Sequence, residues 1–311
     1  MLRMIIDTDT ASDDAVALVM ALRHPLVQVD AITVVAGNVP LDQAVQNALY
    51  TVELCGASAP VYAGRHAPLL RTLDTAQNVH GQDGMGDIGL LLSGRQPAPG
   101  HAVDVLIQSI NAAPGEIMLV AIGPLTNVAL AVLRDPGIAR NVKHCVIMGG
   151  ASDAVGNMTP VSEYNAWADP EAARIVFESG MPITMVGWDI SRKYAVFGPE
   201  EAALLRALNT PHAHFCIDIQ SVLQGYALEE TKLAGFDLPD PIAMAIAIDP
   251  SIAMRTLAVP VSIELSDGLC RGQTLLDHAN LLKRTQRINV VIEADRERFL
   301  QMLHRACLPW I

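Results

Sequence analysis

Short β-branched runs alternate with longer segments of helical spacing over much of the chain, and this alternation restricts the fold more than any other feature. Met4 to Ile6 reads as a strand, and Asp13 to Arg23 as a buried helix stopped by Pro25. Val27 to Val35 is the next strand, followed by an amphipathic helix from Leu41 to Cys55 that Gly56 ends. Further on, Ile117 to Ile122, Val142 to Met148 and Ile183 to Val186 read as strands, with helices at Leu125 to Leu133 and Pro170 to Ser179 between them. Parallel strands need crossover connections, and these pack as right-handed units on a shared sheet. The expected class is therefore α/β, an open, mostly parallel central sheet with helices on both faces. No repeat or Gly/Ser linker interrupts residues 1–311, so a single domain is expected.

Composition agrees with a large buried core, since 51% of the residues are hydrophobic and only 17% are charged. The net charge of −12 disfavours nucleic acid or an anionic membrane as the main partner. The five cysteines are spread singly with no CxxC pair, as reduced thiols in a cytoplasm would be. A carboxylate already at position 7 argues against a signal peptide. The uncharged stretch Ile117 to Leu133 is broken by Gly123 and Pro124 and falls short of a membrane span. A cytoplasmic location is expected.

Chemistry concentrates in Asp7-Thr8-Asp9-Thr10-Ala11-Ser12-Asp13-Asp14, where four carboxylates fall within eight positions between a strand and a helix. Ligands of open α/β sheets bind at the carboxyl ends of strands, which is where this segment lies. Asp7 and Asp9 are expected on one face, and Ser12 is a candidate N-cap for the helix that Asp13 and Asp14 open. Four anions so close raise one another's pKa values unless a cation compensates. Oxygen ligands without His or Cys favour a hard ion, Ca²⁺ or Mg²⁺. Helix-dipole complementation alone accounts for Asp13 and Asp14 but not for the other two. Three long connections, Ala63 to about His101, Ala151 to Asp169 and Phe236 to Pro241, are candidates for functional loops.

Several blocks in order carry a resemblance. The Asp7 to Asp14 segment is followed by Val34 to Asn38, by His80-Gly81-Gln82-Asp83-Gly84-Met85-Gly86 and by Gly123-Pro124-Leu125-Thr126-Asn127. Met148-Gly149-Gly150 and Glu163-Tyr164-Asn165-Ala166-Trp167-Ala168-Asp169-Pro170-Glu171-Ala172-Ala173 come next. Together they resemble the nucleoside hydrolase family of the inosine–uridine-preferring type. The resemblance implies a Ca²⁺-dependent hydrolysis of the N-glycosidic bond of ribonucleosides, in a homodimer or homotetramer. Carried over residue by residue, Asp9 is the base that activates water, and Asp9, Asp14, Asp240 and the Ile122 carbonyl hold Ca²⁺, with Asp7 behind them. Asp13, Asn38 and Asn165 hold the ribose 2′- and 3′-hydroxyls, and Asn157 and Glu163 the 5′-hydroxyl. These residue types suit the reaction, because carboxylates stabilise an oxocarbenium-like transition state more than the neutral ground state.

One position departs from the pattern. The family's commonest form has His immediately before the last metal-binding Asp, as proton donor to the departing base; here Pro239 precedes Asp240. His80 is the first candidate to replace it, with Tyr226 and His214 next; His212 and His214 read as solvent-facing on a helix. Trp188 or Phe236 is a candidate for stacking on a base. Without a strong acid, purine ribosides are expected to react faster than pyrimidine ribosides. Two other readings remain: a nucleoside- or ribose-binding protein without activity, which intact Asp9 disfavours, and a haloacid-dehalogenase-like phosphatase. The phosphatase pattern does not place an acidic pair such as Asp13-Asp14 at the helix start.

Overall fold

The computed structural model describes residues 1–309. Twelve strands run along it: β1 Leu2–Thr8, β2 Val27–Val34, β3 Val61–Ala63, β4 Met118–Ala121, β5 His144–Met148, β6 Ile183–Val186, β7 Val196–Phe197, β8 Phe236–Asp237, β9 Ala253–Val259, β10 Val261–Ile263, β11 Thr274–Leu276 and β12 Ile288–Ala294. Eight of these form the central sheet, in the order β3-β2-β1-β4-β5-β6-β12-β9. All neighbours in it are parallel except the edge strand β9, which runs antiparallel to β12. The mostly parallel sheet and the strands read from sequence are present, with ends shifted by a few residues at most.

Alternate residues of each strand enter two separate cores, as the pleat requires. Met4, Ile6, Val120, Ile122 and Val146 pack on one face with the helices Ser12–Leu22, Leu41–Leu54 and Pro239–Ile248. Ile5, Leu119, Cys145 and Ile147 pack on the other with Ala102–Ala112, Thr126–Arg134 and Pro170–Phe177. The strand order reverses between β1 and β4, so the loops leaving these two strands diverge and open a crevice at their carboxyl ends. That crevice lies where the aspartate-rich segment follows β1 and where Ile122 follows β4.

Hydrogen bonds explain several residues of the sequence blocks read above. Asp169 accepts from the Ala172 N–H at 3.1 Å and caps the helix Pro170–Phe177, while its other oxygen takes the Thr126 hydroxyl at 2.7 Å and the Leu69 N–H at 2.8 Å. Asn127 donates to Asp7 Oδ1 at 2.9 Å and to the Val34 carbonyl at 3.1 Å. These motif residues brace the loops around the crevice. Among the described residues no helix is long and apolar enough to cross a membrane. No disulfide is formed among the described cysteines, and the fold brings Cys216 and Cys307 Sγ to 3.9 Å.

Candidate active site

The first helix, Ser12–Leu22, is buried over almost its whole length and carries Asp13 and Asp14 in its first turn. The helix Pro239–Ile248 packs beside it, is equally apolar, and carries Asp240 in its own first turn. Pro239 at the start of that helix has a φ suited to helix initiation and lacks an N–H that would go unused there. Two helix N-termini therefore point their partial positive charge at one group of carboxylates. Carboxyl oxygens of Asp13, Asp14 and Asp240 lie within 4.8 Å of one another.

Asp9 lies beside this group. Its Oδ2 accepts the Asn38 N–H at 2.6 Å, and the carboxylate is wedged so tightly that a Cβ on Gly37 would fall 2.1 Å from Oδ2 and one on Gly123 2.8 Å from Oδ1. Asp14 is fixed by the Thr8 hydroxyl at 2.6 Å and by the Ala11 N–H at 2.9 Å. Ala11 is thus the cap residue of the first helix and Asp14 supplies the capping carboxylate; Ser12 does not cap, because its hydroxyl is engaged by His80 Nδ1 at 2.9 Å. Asp7 is anchored apart, by the Thr33 hydroxyl at 2.6 Å and by Asn127.

Burial and mutual repulsion raise all of these acids. Asp13 and Asp14 are each pushed up to about 6, chiefly by loss of water, and Asp9 and Asp240 are held well above the usual carboxylate range by burial and by their neighbours' charges. Asp9 Oδ1, Asp13 Oδ1 and Asp240 Oδ1 are buried without a hydrogen-bond partner. Unpartnered carboxylate oxygens converging from several residues are what a hard divalent cation requires, so the donor set fits one. The compact trio includes Asp13, which the resemblance assigns to ribose, whereas Asp9 stands next to it.

Above the acids lies a partly open cavity. Of the residues expected from the sequence, Asp13, Asn38, His80, Ile122, Asn157, Glu163, Asn165, Trp188, Tyr226 and Asp240 all line it, while Asp9 and Asp14 are not among its lining residues. Their partners refine the expected roles. Asn165 Nδ2 donates to the Ile122 carbonyl at 3.0 Å and to the Met148 carbonyl at 3.3 Å, tying together the ends of β4 and β5. Glu163 takes three backbone N–H groups, from Gly150, Asn165 and Ala166 at 2.7, 2.8 and 3.1 Å, and caps the helix Tyr164–Ala168. Burial nonetheless pushes it up to about 7. Asn157 Oδ1 is unpartnered.

His80 reaches the cavity as expected, but burial lowers it to about 4, against the opposing pull of Asp14 and Asp237. Its environment favours the neutral imidazole. Trp188 donates its Nε1–H to Asp237 Oδ2 at 3.0 Å, and the Arg192 guanidinium stacks over its ring at 4.6 Å. Phe236 does not line the cavity; it is 2% exposed and stacked on Phe197, so it serves the core rather than a base. His212 and His214 also lie elsewhere, and His212 is half-buried, its Nε2 standing 3.1 Å from both Leu54 O and Arg23 Nη1. Tyr164 and Asp237 line the cavity without having been singled out. For Asp237 the available signal is a lone carboxylate in the apolar run Phe236-Asp237-Leu238-Pro239.

Comparison with known proteins places this geometry. The profile of the inosine-uridine preferring nucleoside hydrolases matches residues 4–301. A pyrimidine-specific ribonucleoside hydrolase, RihB of Escherichia coli (strain K12 / DH10B), is 35% identical over 309 residues, covering 99% of this chain and 98% of that one. Among solved structures, a plant nucleoside hydrolase, PpNRh1, superposes with a TM-score of 0.93 at 35% identity, covering 99% of both chains. A purine-preferring ribonucleoside hydrolase from Gardnerella vaginalis gives 0.91 at 32% identity and 98% of both. With the fold and its profile matched over nearly the whole length, the chain belongs to the inosine-uridine preferring nucleoside hydrolase family.

Proposed function

We propose that this protein is a Ca²⁺-dependent ribonucleoside N-ribohydrolase in which Asp9 is the base that activates water. The observation that carries this reading is the floor of the cavity, where buried carboxylate oxygens of Asp9, Asp13 and Asp240 have no partner. Asp9, Asp14 and Asp240, with the Ile122 carbonyl, are the groups that would hold the cation, and Asp13 stands against them on the ribose side. When bound, Ca²⁺ acidifies a water and gives the ribose hydroxyls a fixed place. Asp9 then accepts the proton of the attacking water, an assignment supported by the single backbone N–H on Oδ2, which leaves Oδ1 free.

Asp13, Asn38 and Asn165 hold the ribose from below, and Asn157 and Glu163 from the long loop; because Glu163 already takes three N–H groups, part of its role is to fix that loop over the sugar. As the C–N bond lengthens, positive charge spreads over the ring, and the surrounding carboxylates stabilise it. Intact Asp9 disfavours a protein that only binds, since such a protein needs no base there. Base preference is a separate matter. The expectation of purines rested on a missing proton donor, and the relatives do not support it, since one is named pyrimidine-specific and another purine-preferring. A reducing-sugar assay with inosine, uridine and adenosine, with Ca²⁺ and with a chelator, tests the whole reading; Ca²⁺-loaded protein that releases no ribose from any of the three refutes it.

A further inference from the structure

The departing base must acquire a proton, and the cavity holds few groups able to give one. His80 is 8% exposed and bonded through Nδ1 to Ser12. The Tyr164 hydroxyl is spent on the Asp74 carbonyl at 2.8 Å, and burial raises the Tyr226 phenol above an already weak acidity. Glu163 is held as an acceptor of three N–H groups, and Asp240 belongs to the cation group, with Asp13 against it on the ribose side. One carboxyl group is left over. We infer that Asp237 is the acid that protonates the leaving base, an assignment that rests on the hydrolase reading above.

Its geometry is that of a built donor. Asp237 is 7% exposed and lines the cavity three residues before Asp240. The Trp188 Nε1–H and the Ser191 hydroxyl both end on Oδ2, at 3.0 and 2.7 Å, while Oδ1 takes no hydrogen bond from another residue among those described. Two donors on one oxygen leave Oδ1 as the place for a proton and fix its direction. The backbone is fixed as well, through the β7–β8 pairing of Val196 with Asp237 and the Leu238 N–H on the Ala195 carbonyl at 3.1 Å. Burial raises the carboxyl, the two hydrogen bonds and Arg192 oppose this, and the charges of Asp13 and His80 interact with it from across the cavity. In the step, the C1′–N bond pair moves to the base, and a base nitrogen takes the Oδ1 proton, leaving the Asp237 carboxylate. Water adds to C1′ and its proton passes to Asp9; once the base has left, Asp9 releases that proton to solvent and solvent reprotonates Asp237.

Asp237→Asn separates this role from a structural one, because the amide oxygen can still accept from Trp188 and Ser191 while its NH₂ cannot transfer a proton. With Ca²⁺ present, kcat on inosine and uridine should fall by about 10²–10⁴ with KM changed only a few-fold. Cleavage of 4-nitrophenyl riboside, whose leaving group needs no proton, should stay within a few-fold of wild type. The fall of wild-type kcat on the alkaline side, where a general acid is lost, should disappear in the variant. Ser191→Ala removes one bond that favours the carboxylate, so this alkaline limb should move to higher pH. Equal losses on nucleosides and nitrophenyl riboside, an unchanged inosine rate, or an unmoved limb in Ser191→Ala would overturn the assignment. So would a selective nucleoside defect in His80→Ala with Asp237→Asn unaffected. Wild-type protein that cleaves neither substrate removes the hydrolase reading itself.

Discussion

The Asn38 backbone N–H meets Asp9 Oδ2 at 2.6 Å while Asp9 Oδ1 has no partner, so the turn after β2 holds one oxygen of the carboxylate and leaves the other for chemistry. Asp9→Asn should keep this turn, since an amide oxygen accepts the same bond. It should bind nucleoside with KM within a few-fold and lose about 10²–10⁴ in kcat, because an amide cannot take the proton of water. Steady-state kinetics with an unchanged melting profile is the check, and near-normal turnover would assign the base elsewhere.

The same relationship explains why glycine occupies position 37. A Cβ there would stand 2.1 Å from Asp9 Oδ2, and the carboxylate is closed in on its other side by Gly123. Gly37→Ala should therefore displace Asp9 rather than unfold the loop. A displacement near 1 Å costs on the order of 100-fold in rate. Activity falling much further than stability, measured by kinetics and thermal melting on one preparation, is the expected pattern.

How much of this site is legible in the chain depends on distance along it. Asp9, Asp13 and Asp14 stand out because one strand–helix junction delivers all three, and the parallel sheet follows from the same alternation. Asp240 is recognisable only through its place in a longer run of family blocks. Asp237 escapes because its character comes from Trp188 and Ser191, 49 and 46 residues earlier, and no local spacing records that. Phe236 is misleading for the same reason, since its stacking partner Phe197 is brought to it only by the short β7–β8 pairing. Ser12 looks like a cap by residue type, but Asp14 reaches the Ala11 N–H and the serine is drawn to His80. The last two sheet strands are hard to read because β12 pairs with β9 through shifted register.

Cation binding and folding stability should be linked through pH. Asp13 and Asp14 have folded-state pKa values of about 6, above their ordinary carboxylate value of 3.8. A raised folded pKa means that the protonated group favours the fold: the contribution is complete below about pH 4 and is lost as pH rises through 6. Chelated protein should consequently melt at lower temperature at pH 8 than at pH 5. One pKa unit is worth about 1.4 kcal/mol, and large domains move about 2–4 °C per kcal/mol, so the loss amounts to several degrees. Added Ca²⁺ should restore more at pH 8 than at pH 5. A chelated protein equally stable at both pH values would contradict the shared burial of these acids.

Glu163 offers a test in which stability and substrate binding move together. Its two oxygens satisfy the N–H groups of Gly150, Asn165 and Ala166, so they hold the end of β5 and the start of the helix Tyr164–Ala168 in one knot. Glu163→Ala leaves these N–H groups without a side-chain acceptor. Losing such a cap costs about 0.5–2 kcal/mol, and the buried position adds to it. Glu163→Gln retains one acceptor oxygen and should recover part of the loss, but its NH₂ would face an N–H that it cannot accept. Because Asn165 lies two residues on and bridges the Ile122 and Met148 carbonyls, loosening the knot should also loosen the ribose site. The expected order in melting temperature is wild type above Glu163→Gln above Glu163→Ala, with KM for inosine rising in the opposite order and kcat falling less than in Asp9→Asn. A Glu163→Ala protein with wild-type stability would mean that water replaces the carboxylate at all three N–H groups, and an unchanged KM would free the loop from any part in holding the sugar.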